Sequence, residues 1–206
     1  MVPLPAPMLS RPAPLPSRGG YSYEVKWDGF RAMVSTTDGL RVRSRRGWNM
    51  TELVPGLADL PPRLVLDGEL VAWGEDGLPS FPLLCERMLH RRPGIAVTYM
   101  IFDVLEHVGK TTMHMRYWQR RRLLDRLDLN GSHWRTPEAF DDGEALFESV
   151  KIEGLEGVVA KKLSQPYRPG ERLWLKTKNR DYWRYPSEVD AAQRKWRSAA
   201  STFGTV

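Results

Sequence analysis

The stretch Glu24-Val25-Lys26-Trp27-Asp28-Gly29-Phe30-Arg31 carries four charged side chains among apolar ones, between two segments that read as strands, Tyr21 to Lys26 and Phe30 to Thr37. On a strand, Glu24, Lys26 and Asp28 share one face. Gly29 permits a tight bend that can bring Arg31 back toward them. So many charges are too costly for an apolar core. The stretch is therefore either an exposed strand of salt-bridged charges or a chemical site at a strand end.

Outward from it, Asp38-Gly39 marks a hairpin turn into Leu40 to Arg45, where apolar and basic side chains alternate. Arg63 to Trp73 reads as a strand, Phe81 to His90 as a short helix, and Val97 to Leu105 as a central apolar strand holding Asp103. Arg116 to Leu129 places Tyr117, Leu124 and Leu127 on one helical stripe. Asp142 to Val150 is a second such helix, with Asp141 and Glu144 as its start signal. Gly157 to Lys162 and Leu173 to Lys178 close the set as strands, and 187–198 reads as an exposed basic helix. Runs of hairpins without alternating βα units give an α+β fold.

Composition narrows the class. The chain has 206 residues, 41% hydrophobic and 27% charged, a globular balance that excludes a fully disordered chain. The net charge of +6 suits a polyanionic partner. No apolar run is long enough to span a bilayer. A single cysteine, Cys85, excludes an internal disulfide and points to the cytoplasm. Six prolines between Met1 and Pro16 break up any signal-peptide pattern. Residues 1–20 read as an extended arm, either solvated or laid over a pocket.

Three further constellations bear chemistry. Asp67 and Glu69 share a face in an otherwise apolar strand, so they need a partner, a metal or a surface-facing edge. Glu156-Gly157 sits at the mouth of the strand ending in Lys161-Lys162, as a site or an ordinary helix-to-strand turn. Trp174, Lys176 and Lys178 share a strand face; the two lysines repel unless an anion lies between them, or they guard a solvated edge.

In order, the chain presents Lys26-x-Asp28-Gly29-x-Arg31, Ser44-Arg45, Asp67-Gly68-Glu69, Phe102-Asp103, Glu156-Gly157-Val158 and Lys176-x-Lys178. This order resembles the covalent nucleotidyltransferase superfamily of ATP-dependent DNA ligases, RNA ligases and capping enzymes, and most of all the bacterial ATP-dependent DNA ligases. The resemblance runs from Pro7-Met8-Leu9 to about Arg184. It implies an ATP-grasp-like nucleotidyltransferase fold of antiparallel sheets flanked by helices. It also implies ATP and Mg²⁺ as cofactors, and a role in DNA repair and recombination.

By this resemblance, Lys26 is the nucleophile that attacks the α-phosphate of ATP, giving lysyl-AMP and pyrophosphate. A free lysine has a pKa of about 10.4, so the neutral amine needs help from desolvation, from the cations Arg31, Lys176 and Lys178, and from Mg²⁺. Glu24 would accept a hydrogen bond from the adenine amino group, favouring ATP over GTP. Arg31 and Arg45 would hold the ribose and the 5′-phosphate of the nucleic acid or AMP. Glu69 would contact the ribose or a metal. Phe102 would stack on adenine, or is plain core. Glu156 and Asp28 would help hold Mg²⁺, and Lys176 and Lys178 would contact the α-phosphate. AMP would then pass to a 5′-phosphate end, and a 3′-hydroxyl would displace it to seal the break.

The expected organisation is a Pro-rich arm (1–20), an adenylation domain (21–186) and a basic tail (187–206). The 25 residues before Lys26 leave no room for the extra domain of NAD-dependent ligases. The 28 residues after Lys178 are too few for the OB-fold domain that usually follows in DNA ligases. Trp183, Trp196 and the basic residues of the tail either supply nucleic-acid contacts or make a solvated tail. The expected partners are nicked or broken DNA and an OB-fold or repair protein acting in trans, with no membrane. Two alternatives stand beside DNA ligation: an RNA ligase of the same superfamily, and a catalytically incomplete relative kept for nucleic-acid binding or docking.

Overall fold

Ten strands and three helices, interrupted by two short 3₁₀ turns, make up the computed structural model, which describes residues 4–17 and 19–187. The strands are β1 (Leu9–Pro12), β2 (Tyr21–Val25), β3 (Phe30–Ser35), β4 (Arg41–Ser44), β5 (Leu64–Ala72), β6 (Val97–His107), β7 (Lys110–Thr111), β8 (Trp134–Arg135), β9 (Gly157–Lys162) and β10 (Arg172–Lys178). The helices are α1 (Phe81–Met88), α2 (Tyr117–Leu127) and α3 (Gly143–Ile152). The basic helix expected at 187–198 falls, but for Ser187, outside the described residues. The α3 start lies one residue later than its sequence signal. Asp142, not Asp141, is the N-cap, and its carboxylate accepts the Ala145 N–H at 2.9 Å.

The strands form two sheets. The smaller runs β1-β10-β9-β2 and the larger β4-β3-β5-β6-β7, with β8 beside β6. Most pairings are antiparallel, as expected, but β1 with β10 and β6 with β8 are parallel. The arm is therefore part of the body: β1 completes the smaller sheet, and Met8 is fully buried. This also removes the edge reading of Lys176, which pairs with β1 on one side and β9 on the other; Lys178 lies beyond the β1 pairing and is matched to Gly157 of β9. Likewise β5 is central and Asp67 is fully buried, so Asp67 does not sit on a surface edge.

Strand alternation sorts the faces. On the smaller sheet Tyr23, Val158 and Ala160 pack on Leu146 and Val150 of α3. The opposite face carries Glu24, Val159, Lys161, Trp174 and Lys176, which are cross-strand neighbours or two residues apart. On the larger sheet Ala32, Val34, Leu66, Leu70 and Ile101 join a core with α1 and α2. Its other face carries Met33, Val65, Phe102 and Leu105, which meet Trp174 of the smaller sheet. Two bulges in β6 decide this: relative to β5, Leu105 and Phe102 are extra residues, and both turn toward Trp174.

α2 is anchored by a buried charge pair. Arg120, fully buried, donates to both Asp103 oxygens at 2.8 and 2.9 Å and to two backbone carbonyls. No helix among the described residues is long and apolar enough to cross a membrane. Arg120→Met would strand the Asp103 carboxylate in the core and should cost about 3–5 kcal/mol, read as a lowered urea midpoint. Adding Asp103→Leu should recover part of that loss; no recovery would mean that Arg120 acts through packing alone.

Candidate active site

Lys26 stands where the chain crosses from one sheet to the other. β2 ends at Val25, the Lys26 N–H donates to the Gly157 carbonyl at 2.8 Å, and by Phe30 the chain is in β3. The crossing is tight. A Cβ on Gly29 would lie 2.1 Å from the Leu70 carbonyl oxygen, and one on Gly157 would lie 2.3 Å from that of Thr177. Only glycine fits at either position.

The cleft between the sheets is lined by Glu24, Lys26, Arg31, Arg45, Glu69, Phe102 and Lys176, together with Lys161, Trp174 and Leu9 and Ser10 of the arm. Seven residues singled out in the sequence thus converge on one space. Of the two readings of the arm, the structure has the one in which it covers a pocket.

Each charge of the opening motif has its own partner. Glu24 is 4% exposed and accepts from Lys161 Nζ at 2.7 Å and from the Tyr117 hydroxyl. Lys26 Nζ pairs with Glu156, whose other oxygen lies 3.0 Å from Lys178 Nζ. Arg31 donates to both oxygens of Asp67 at 2.5 and 2.6 Å and to the Met8 carbonyl at 3.1 Å. Asp28 pairs with Arg184 and accepts from the Tyr182 hydroxyl at 2.7 Å. The stretch is salt-bridged, yet Glu24 and Asp28 are buried, so the exposed-strand reading does not hold.

These partners revise several expectations. Asp28 does not line the cleft: its carboxylate is turned to Tyr182 and Arg184, and it borders a smaller pocket with Lys26 and Glu156. Arg31 lies at the cleft wall, but Asp67 takes two of its donors, so the arginine ties the arm to the larger sheet as much as it faces a ligand. Glu156 is the counter-ion of two lysines, Lys26 and Lys178, and neither Glu156 nor Lys178 lines the cleft. Phe102 is both core and lining: 9% exposed, it packs with Met8 and Trp174 while its ring borders the cleft. The Arg31 guanidinium carbon lies 4.6 Å from its centroid. Arg45 is exposed at the cleft rim.

Lys161 and Tyr117 carry no functional role in the sequence reading, and both are buried beside Glu24. For Lys161 a signal existed: alternation along Gly157–Lys162 puts it on the face of Val159, which opposes Glu24. For Tyr117 none did, because its partner lies 93 residues away. Tyr182 and Arg184 are more remote still from Asp28, 154 and 156 residues away.

Burial sets the electrostatics. It pushes the Glu69 carboxyl up to about 7, against the pull of Arg31 and Lys26 and with help from Glu156 and Asp67. It lowers the Lys161 ammonium, with Glu24 and Asp103 opposing. On Arg31 burial is outweighed by Asp67, and the guanidinium is held more firmly charged. Among the described residues no three His, Cys, Asp or Glu gather into a metal-binding cluster. Glu69 and Glu156 are two carboxylates that act on each other near Lys26. That donor set fits the habit of Mg²⁺, which takes one or two carboxylates plus substrate phosphates.

Two sheets closing on a lysine, with paired carboxylates and a β10 lysine pair, define a nucleotidyltransferase-type site, and comparison with known proteins agrees. The sequence profile for the ATP dependent DNA ligase domain matches residues 7–178. The multifunctional non-homologous end joining protein LigD of Mycolicibacterium smegmatis is 36% identical over 166 residues, 77% of this chain and 21% of that protein. The SPbeta prophage-derived DNA ligase-like protein LigB of Bacillus subtilis is 32% identical, over 79% of this chain and 62% of LigB. Among solved structures, mycobacterial DNA ligase D complexed with ATP and MES superposes with a TM-score of 0.74 at 34% identity, covering 85% of this chain and 60% of that one. Chlorella virus DNA ligase-adenylate shares the fold, with a TM-score of 0.62 at 19% identity and coverage of 85% and 69%. The chain belongs to the ATP-dependent DNA ligase domain family and has its α+β nucleotidyltransferase fold. It spans about a fifth of the LigD relative.

The Glu69 shift sets a pH test. The native state binds this proton more tightly than the unfolded chain, so the metal-free protein should lose stability as pH rises from about 4.5 to about 7. Glu69→Gln removes the effect. It should raise stability at pH 8 by on the order of 1 kcal/mol, allowing for solvent screening at the cleft, and change little at pH 4. Thermal melts of both proteins at the two pH values in EDTA check this.

Proposed function

We propose that this chain is the adenylation domain of an ATP-dependent DNA ligase. It forms lysyl-AMP on Lys26, transfers AMP to a 5′-phosphate end, and seals nicked or broken DNA in the cytoplasm. The observation that carries the reading is Lys26 at the crossing between the sheets, in contact with Glu156 and open to a cleft that also holds Glu24, Phe102 and Lys176.

In the first step the neutral Lys26 amine attacks the α-phosphorus. The N–P bond forms, the bond to the β-phosphate oxygen breaks, and pyrophosphate leaves with that electron pair. Glu156, already accepting a hydrogen bond from Nζ, is placed to take the proton. Lys176 stands in the cleft to offset charge on the phosphate, and Lys178 balances Glu156. Phe102 and Trp174 offer aromatic surface to the base, and Glu24 offers an acceptor to its edge. Glu69 and Glu156 would hold Mg²⁺, which when bound supplies Lewis-acid neutralisation of phosphate charge. Arg45 at the rim and Trp183, 59% exposed beyond β10, are placed for nucleic acid. An OB-fold or repair partner in trans would complete the clamp on DNA.

Incubation with ATP and Mg²⁺, denaturation and intact-mass analysis should give a covalent AMP adduct. Lys26→Ala should abolish it, while Lys178 stays as a partner for Glu156 and the fold should survive. An adduct on Lys26→Ala would overturn the assignment of the nucleophile. Competition between nicked DNA and nicked RNA duplexes for the charged enzyme should favour DNA, and the reverse would make this an RNA ligase. Salt-dependent DNA binding without any adduct would place it with the catalytically incomplete relatives.

A further inference from the structure

Three elements meet at one carboxylate on the cleft wall: Glu24 from β2, Tyr117 from the first turn of α2 and Lys161 from β9. Tyr117 and Lys161 are each 1% exposed. The Tyr117 hydroxyl donates to Oε1 of Glu24, and Lys161 Nζ donates to Oε2 at 2.7 Å. Lys161 also donates to the Phe102 carbonyl at 3.1 Å, and its Nζ lies 4.5 Å from the Phe102 ring centroid and 4.4 Å from that of Trp174. One ammonium thus joins the carboxylate on the cleft wall to the two aromatic side chains beside it.

We infer that Tyr117 and Lys161 are positioning residues that set nucleobase selectivity, by fixing Glu24 in the cleft as a carboxylate with donors on both oxygens. The inference rests on the adenylation reading above.

Both neighbours of Glu24 are donors, so both of its oxygens are used as acceptors. An ionised carboxylate has about four acceptor positions, and two donors leave it capacity toward the cleft. Only another donor can use that capacity. A purine with an amino group at position 6 supplies one. A purine with a carbonyl there sets oxygen against oxygen in a largely desolvated place, where an unmatched polar pair is costly. A carboxylate with one free oxygen could rotate away from such a clash; one held at both ends cannot. The packing of α2 alone does not need a hydroxyl at position 117, since a phenylalanine ring would fill the same space. The oxygen is accounted for by Glu24.

The test compares ATP with ITP, in which a carbonyl replaces the 6-amino group and the adjacent N1 carries a hydrogen, in self-nucleotidylation by the wild type and by Tyr117→Phe. The wild type should prefer ATP by at least about 100-fold in kcat/KM. Tyr117→Phe should cut that preference by about tenfold, by raising KM for ATP while kcat stays within about twofold. Lys161→Gln, which keeps a donor near Glu24 without the charge, should also lower the preference. Equal losses for ATP and ITP in both variants would mean packing alone, and an unchanged ratio would sink the inference. If the wild type forms no adduct with either nucleotide, the adenylation reading fails. Calorimetric binding of ATP and ITP then gives the same ratio without chemistry. Equal affinities, or binding of neither, would overturn the selectivity role as well.

Discussion

Everything in this protein is arranged around one costly demand, that four charges from an eight-residue stretch sit at the junction of two sheets. Each is neutralised by a different part of the chain: Glu24 by Lys161, Lys26 by Glu156, Asp28 by Arg184, Arg31 by Asp67. Buried pairs of this kind add little net stability, but losing one partner leaves the other stranded. The network therefore acts as a registry device: β5, β9 and the segment after β10 must all be in place before the stretch is satisfied. The same pairings hold the cleft open with its functional groups fixed.

The glycines make that junction geometrically feasible. At Gly29 and Gly157 backbone passes so close to backbone that a methyl group has no room. These contacts bring β2, β5, β9 and β10 together at Lys26 and put Glu156 against its amine. The tight crossing thus joins the two sheets and at the same time fixes the Lys26 amine against Glu156.

A second layer lies behind the first. The bulges of β6 turn Phe102 toward Trp174, Lys161 connects both rings to Glu24, and Tyr117 closes the far side. Polar networks in a poorly solvated setting are rigid when every member is satisfied, and Glu24 is satisfied from both sides. The arm belongs to this layer too. Met8 is held by Tyr167 and Arg31, and its neighbours Leu9 and Ser10 complete the cleft wall.

Much of this was legible in the sequence. Period-two alternation located seven of the ten described strands to within about two residues, missing β1, β7 and β8, and six charged side chains singled out in the sequence line the cleft beside Phe102. What the sequence could not settle was what each charge faces. The resemblance offers Asp28 as a metal ligand; its partner in the structure is Arg184, 156 residues away. Lys176 and Lys178 could have been an edge because edge and centre have the same alternation. Only the parallel pairing of β1 places β10 inside the sheet. The sequence by itself determined most of the strands and their polar and apolar faces, since these follow from backbone geometry and chemical type. The tertiary structure alone decided which opposite charges meet and which carboxylates stay free for a ligand, because burial and pairing depend on contacts between residues from 17 to 156 positions apart.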